Sequence, residues 1–255
     1  MNRCAIIIES SHVANQDDLP GARLDAQNWK DFLESELGGA WENNEIHLLP
    51  HPDIEEVQAY IRTYRNDYVF LAFSGHGCEV GGHIYCCLND TEQHVDSESM
   101  TPLIGTAVFD CCRGKPDSDD GRMVVAAMDS RGSELVNESF AINKRQWQKL
   151  LRRQAIRNTF LNNIRVRGSS NSVRMYACAK GQGAEESPEA GGLYTSLLID
   201  GAKERKKSFL PGYMSNVYTT RDAHVYAERE MLILAPQQTP QYHPNDLVYP
   251  FAILG

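Results

Sequence analysis

The sequence predicts an α/β protein, a three-layer α/β/α arrangement built on a mainly parallel sheet of about six strands with helices on both faces. Three observations carry this expectation. Short apolar runs rich in β-branched residues recur along the chain; stretches with helical spacing separate the first four of them; and no linker, internal repeat or low-complexity tract divides the 255 residues. Strands alternating with helices need crossover connections, and crossovers produce parallel pairs.

Taken in order, Ala5 to Ile8 reads as the first buried strand. After a turn at Pro20-Gly21, residues Leu24, Trp29, Phe32, Leu33 and Leu37 fall at helical spacing. Ile46 to Leu49 is the second strand, and Ile54, Val57, Tyr60 and Ile61 mark a second helix after Pro52-Asp53. Tyr68 to Phe73 is the third strand, followed by a protruding hairpin over Val80 to Leu88 with Gly81-Gly82 at its turn. Thr106 to Phe109 is the fourth. The segment from Lys115 to Ser172 differs in character: its start, through Pro116, Asp117 and Asp120, is a loop, and Asn143 to Arg167 is polar and strongly basic, so the whole reads as a surface excursion between two halves of one sheet. Val173 to Ala177 is the fifth strand, Leu193 to Arg205 a helix opening at Gly191-Gly192, Ser215 to Glu230 a last helix, and Val248 to Ile253 the sixth strand. One domain over residues 1–255 is expected.

The net charge of −9, from 25 basic and 34 acidic residues, repels phosphate backbones and argues against nucleic acid as a partner. Near the N-terminus only Cys4 to Ile8 is apolar before Glu9, too short for a signal segment or a membrane span, so a cytoplasmic protein without membrane contact is expected. Seven cysteines, an odd number that includes the adjacent pairs Cys86-Cys87 and Cys111-Cys112, suit reduced thiols better than a disulfide framework. No C-x-x-C pair or finger spacing supplies a zinc site, and no metal or other cofactor is expected.

Chemistry concentrates where two strands end. The third runs into Ser74-Gly75-His76-Gly77 and the fourth into Asp110-Cys111-Cys112-Arg113-Gly114, and in open parallel sheets the working residues sit at the carboxyl ends of strands. If these strands are neighbours, His76 and Cys112 lie side by side. An imidazole next to a thiol raises its thiolate fraction, the sulfur attacks a carbonyl, and the imidazole then protonates the leaving amine. The backbone N–H groups of Gly77 and Cys112 are the natural donors for the developing oxyanion.

These residues resemble the caspase-like cysteine peptidases of clan CD, the group of caspases, paracaspases and metacaspases. Ser74-Gly75-His76-Gly77 resembles the family's histidine motif and Asp110 to Gly114 its cysteine motif, which selects Cys112 over Cys111 as nucleophile. The separation of 112 − 76 = 36 residues is shorter than the roughly 50 of caspases. Gly21 to Ala26, Tyr176 to Ala179 with the following Gly-Gln-Gly-Ala-Glu-Glu, and Gln238 to Gln241 resemble further family stretches, so the likeness spans nearly the whole chain. It implies a large-subunit-like part over 1–114, an intersubunit excursion over 115–172 and a small-subunit-like part over 173–255.

The resemblance also implies a specificity pocket. Aspartate-directed caspases place an arginine where this chain has Leu19, whereas metacaspases and paracaspases, which prefer Arg or Lys, line the pocket with carboxylates. Asp110 matches one of these, Asp25 another, and Glu186 or its neighbour Glu185 a third, with Ser74 beside them. A buried substrate guanidinium needs such partners, so cleavage after Arg is favoured, with Lys second. Arg23, close to Leu19, keeps aspartate specificity as an alternative. Metacaspases often need calcium, but Asp90, Glu92, Asp96 and Glu98 do not resemble an oxygen cage and calcium is not expected. Protein substrates are the implied partners, with a separate activating protein, self-cleavage or neither releasing the activity of a zymogen. Lys144, Arg145, Lys149, Arg152, Arg153, Arg157, Arg165 and Arg167 make the excursion either a self-processing site or a basic helix docked on an acidic surface. A catalytically silent scaffold would not need Cys112, His76 and Gly77 together. A signal-receiver domain would need an acid cluster where the chain has Glu9-Ser10-Ser11.

Overall fold

The computed structural model describes residues 2–91, 93–114, 144–167 and 171–255. Its elements in chain order are β1 (Arg3–Ser10), α1 (Pro20–Glu34), β2 (Ile46–Pro50), α2 (Ile54–Thr63), β3 (Tyr68–Gly75), β4 (Gly77–Val80), β5 (His83–Cys87), β6 (His94–Asp96) and α3 (Ser97–Met100). There follow β7 (Gly105–Asp110), α4 (Lys144–Arg167), β8 (Ser172–Tyr176), β9 (Glu186–Ser187), β10 (Gly191–Gly192), α5 (Leu193–Lys207), β11 (Val217–Thr219), α6 (Thr220–Leu234), β12 (Gln241–His243) and β13 (Pro250–Ile253).

The central sheet has six strands in the order β12-β8-β7-β3-β1-β2. Every pair is parallel except the edge pair of β12 with β8. Period-2 alternation divides its side chains between two cores. On one face Ala5, Ile7, Phe70, Ala72, Val108 and Met175 pack under Trp29 and Phe32 of α1, Phe160 of α4, and Leu198 and Ala223 of α5 and α6. On the other Ile6, Ile8, Leu71, Phe73 and Phe109 pack under Val57 of α2 and Met100 of α3. With both faces covered, the inner strands are apolar along their length, which is why they read as continuous runs rather than alternating ones.

Two expectations need correction. The run at Val248 to Ile253 is a strand, but it pairs antiparallel with β11 in a separate two-stranded ladder, and Phe251 packs on Trp29 and Phe32 of α1. The sixth strand of the central sheet is instead the short, mostly polar β12. The basic stretch from 144 onward is a mostly exposed helix but more than a surface excursion, because Ile156, Phe160 and Ile164, at i, i+4 and i+8, are buried in the core. Its cations dock on acidic residues, Arg157 with Glu45 at 2.7 Å, Arg152 with Glu36 at 2.9 Å, while Arg153 donates to the Glu34 carbonyl. Glu45 also holds the buried Arg3, whose guanidinium lies 4.3 Å from the Trp41 ring. Of the candidate processing sites, residues 115–143 and the side chains of Lys144, Arg145 and Arg167 lie outside the described residues. The hairpin after β3 is present and gains a third strand, β6. No helix among the described residues is long and apolar enough to cross a membrane.

Candidate active site

β3 and β7 are adjacent and parallel, with Ser74 opposite Asp110 at their carboxyl ends. The chain leaving each strand therefore turns into the same crevice. His76 and Cys112 both line one cavity of about 80 Å³, in which Leu19, Ser74, Asp110 and Glu186 also take part. A larger hollow, about 730 Å³ between α5 and α6, contains neither cysteine nor histidine in its lining, so size does not locate the chemistry.

The orientation of His76 follows from one hydrogen bond. Its Nε2 lies 2.7 Å from the Asp17 carbonyl, which can only accept, so Nε2 carries the proton and Nδ1 keeps its lone pair. Burial holds this imidazole below its ordinary pKa despite the Asp17 carbonyl, so it is neutral at physiological pH. The Cys112 thiol is shifted in the opposite sense. Burial pushes it up, the Ala184 N–H 3.4 Å from its sulfur offsets part of this, and Cys111, Asp110 and Glu185 add to the rise. Both shifts favour a neutral thiol and a neutral imidazole. Neighbouring Cys111 is fully buried against Cys86, and that contact and its burial push its thiol well up, as befits a core residue.

Gly77 is fixed by close approach. A Cβ there would stand 2.7 Å from Cys111 Sγ and 2.8 Å from the Cys112 carbonyl oxygen, so only glycine lets β4 lie against the cysteine loop. The backbone of Arg113 continues that loop, donating to the Gln182 carbonyl and accepting from Gly181 N–H.

Three carboxylates converge beside this pair. Asp25, fully buried on α1, accepts from Ser74 Oγ at 2.6 Å and from Gly192 N–H at 2.9 Å. Asp110 accepts from Thr195 N–H at 2.9 Å. Both therefore rest on the positive N-terminal end of α5, where orphan N–H groups and the helix dipole favour anions. Glu186 is half-buried on β9 and accepts from the backbone N–H groups of Gly21 and Ala22. Burial raises the pKa of all three, and for Asp25 the Asp110 charge raises it further. Glu185 borders the same cavity but is exposed, and its own N–H is held by Gln238. Gly192 separates Asp25 from Asp110, since a Cβ on it would collide with both carboxylates. Arg23 is exposed, reaches Ser11 Oγ at 3.4 Å and does not line the cavity; Leu19 does.

Of the acids weighed for calcium, Asp96 caps α3 and pairs with His83, Glu98 pairs with Arg174, and Glu92 lies outside the described residues. Among the described residues no group of three or more His, Cys, Asp or Glu side chains is placed to hold a metal ion. Sequence reasoning missed the Asp17 carbonyl, the Ala184 N–H and Gly192. These act through backbone or through having no side chain, and they leave no motif.

A histidine and a cysteine that leave adjacent strands of such a sheet into one cavity fit a caspase-like cysteine peptidase domain. The chain belongs to the caspase domain family, whose model matches residues 2–251. Among similar solved structures is caspase-1 from Spodoptera frugiperda, 13% identical, with 98% of this chain and 91% of that chain covered and a TM-score of 0.59, a likeness that speaks to the fold. Comparison with curated proteins finds no match.

Proposed function

We propose that the protein is a cysteine endopeptidase that cleaves protein substrates after arginine, and less efficiently after lysine, with Cys112 as nucleophile and His76 as base. The observation that carries this reading is that Asp110 and Glu186 line the cavity beside Cys112 and Asp25 stands directly behind them, bonded to the lining residues Ser74 and Gly192, with no Lys or Arg in the lining among the described residues. Anions forced together in a buried place are costly alone and favourable around a guanidinium, which forms charge-assisted, bidentate bonds with carboxylates. Leu19 offers an aspartate substrate no counter-charge.

As the Cys112 sulfur attacks the scissile carbonyl, its proton passes to Nδ1 of His76, and the N–H groups of Gly77 and Cys112 receive the oxyanion. The imidazolium then gives its proton to the leaving amine, forming a thioester on Cys112. Water, deprotonated by the same nitrogen, hydrolyses the thioester and restores the neutral pair. Glu185 and Glu186 also border a hollow of about 580 Å³ reaching Leu193 and Gln238, which leaves room for residues flanking the scissile bond. No cofactor enters any step, and a cytoplasmic setting suits the free cysteines.

Fluorogenic peptides ending in Arg, Lys or Asp, offered to wild type and Cys112→Ala, test the reading. Cleavage after Arg that vanishes in the variant is the expected result. Cleavage after Asp would overturn the pocket assignment and keep the nucleophile, whereas activity surviving in Cys112→Ala would overturn the nucleophile.

A further inference from the structure

On the far side of the cysteine loop lies a cavity of about 520 Å³ with the opposite electrical character. Arg113 from the loop, Arg174 from β8, Lys180 from the loop after β8 and His243 from β12 all line it. The register of β12 on β8 places His243 directly opposite Arg174. Against these stands one lining carboxylate, Glu98, which pairs with Arg174 at 2.9 Å. His83 on the rim pairs with Asp96. Lys180 Nζ meets only the Gly82 carbonyl, and neither Lys180 nor Arg113 has a carboxylate partner among the described residues. Three fixed cations against one anion is a marked local excess in a chain whose net charge is −9.

Arg113 gives the cavity a built element. It is 3% exposed, lies 4.3 Å from the Tyr176 ring, and donates to the Cys178 carbonyl and Gln241 Oε1, yet its Nε–H has no partner among the described residues. Among the described residues this guanidinium is held by neutral acceptors, so its charge is weakly screened where it lines the cavity. The same three cations push His243 below its ordinary pKa after burial does, so they act on one point in space.

We propose that this cavity binds a small ligand bearing a phosphate-type oxyanion, gripped by Arg113, Arg174 and Lys180. Guanidinium forks match tetrahedral oxyanions, and cations from three separate segments around one hollow suit a compact polyanion better than a flat surface partner. Arg113 is the residue after Cys112, and its backbone joins the 178–182 loop that leads to Ala184, the donor to the Cys112 sulfur. An occupied cavity therefore stiffens the loop that carries the nucleophile. The site is independent of the proposed specificity pocket and stands whether or not the preference for arginine holds.

The test is calorimetric titration of the full chain with pyrophosphate, and separately with a phosphoserine peptide, at constant ionic strength against sodium chloride. Saturable one-to-one binding of either probe is expected, and the tighter of the two identifies a free or a protein-borne source. Arg174→Gln combined with Lys180→Gln should weaken it by about tenfold or more, as loss of two charge-assisted contacts implies. Lys180→Glu alone, an exposed change that leaves the core untouched, should also weaken it, which guards against a fold defect in the double variant. Heat indistinguishable from sodium chloride, or equal affinity in Lys180→Glu, overturns the proposal. Neither variant touches Cys112 or the carboxylates, so peptide cleavage assayed in parallel separates this outcome from failure of the peptidase reading.

Discussion

Substituting Asp25 by Asn probes the proposed pocket from both of its aspects, because the carboxylate that would hold a substrate cation is also a strained group in its absence. The change is nearly isosteric, and the amide retains an oxygen for the Gly192 N–H that now reaches Oδ1 at 2.9 Å. Removing one member of a buried charge pair costs about 3–5 kcal/mol. Asp110 and Glu186 remain to share a guanidinium, so the lower figure applies, about a hundredfold in kcat/KM. The assay compares an Arg peptide with its citrulline analogue, which has the same shape and no charge. Wild type should prefer Arg strongly, and the variant should lose that preference while its citrulline rate changes little. Stability should move the other way. Asp25 has a raised pKa in the fold, so its carboxyl supports the folded state in acid and that support is lost as pH climbs from the unfolded range through the folded value. At neutral pH the variant should therefore melt higher than wild type, with the difference disappearing in acid. An unchanged Arg-to-citrulline ratio, or a lower melting temperature at neutral pH, would refute the charge argument.

Three further outcomes are expected. Alkylation of Cys112 by iodoacetamide, followed by peptide mass spectrometry, should still be gaining rate with pH as it passes the ordinary thiol value of 9.0, because burial raises this group; a rate already at its plateau near neutrality would mean a preformed ion pair. Gly77→Ala forces a Cβ into Cys111 and the Cys112 carbonyl, and should lower stability by about 1–3 kcal/mol as overpacking does, with loss of peptide cleavage; a variant equal to wild type in denaturant melts and in turnover would contradict the contact. His224, buried with its Nδ1 2.8 Å from the Tyr194 phenolic Oη, has its pKa lowered to about 4 by burial first, so the fold binds that proton more weakly than the unfolded chain and loses about 3 kcal/mol as pH falls from 6.5 to 4; His224→Asn should flatten this part of the stability curve, and parallel curves would exclude His224 as its source.

How much of this the sequence discloses depends on what each residue does. His76 and Cys112 are legible because β-branched runs announce the two strands and short motifs sit at their ends, so adjacency of β3 and β7 is enough to unite them. Asp25, Asp110 and Glu186 come from α1, β7 and β9, separated by up to 161 residues (186 − 25), and only the family resemblance brings them together. The Asp17 carbonyl and Ala184 N–H are invisible in principle, since every residue has a backbone. β12 is missed because three residues, two of them polar and one following Pro240, carry no periodicity. β13 is placed in the wrong sheet because an all-apolar run tells of burial and not of partner. The apolar stripe of α4 is diluted by the arginines that dock it, and these draw the eye to charge instead of period.

The docking of α4 and the register of β8 on β7 bear on what a break in the backbone would do. Thr106 lies opposite Val173 and Phe109 opposite Tyr176, while Phe160 is packed under Trp41 and Tyr68 and Arg157 grips Glu45. Every one of these contacts joins residues before 115 to residues after 143. A chain nicked anywhere in 115–143 would thus remain one particle in native solution and become two only under denaturing conditions. Covalent continuity across that stretch is, for this architecture, a matter of synthesis and not of cohesion.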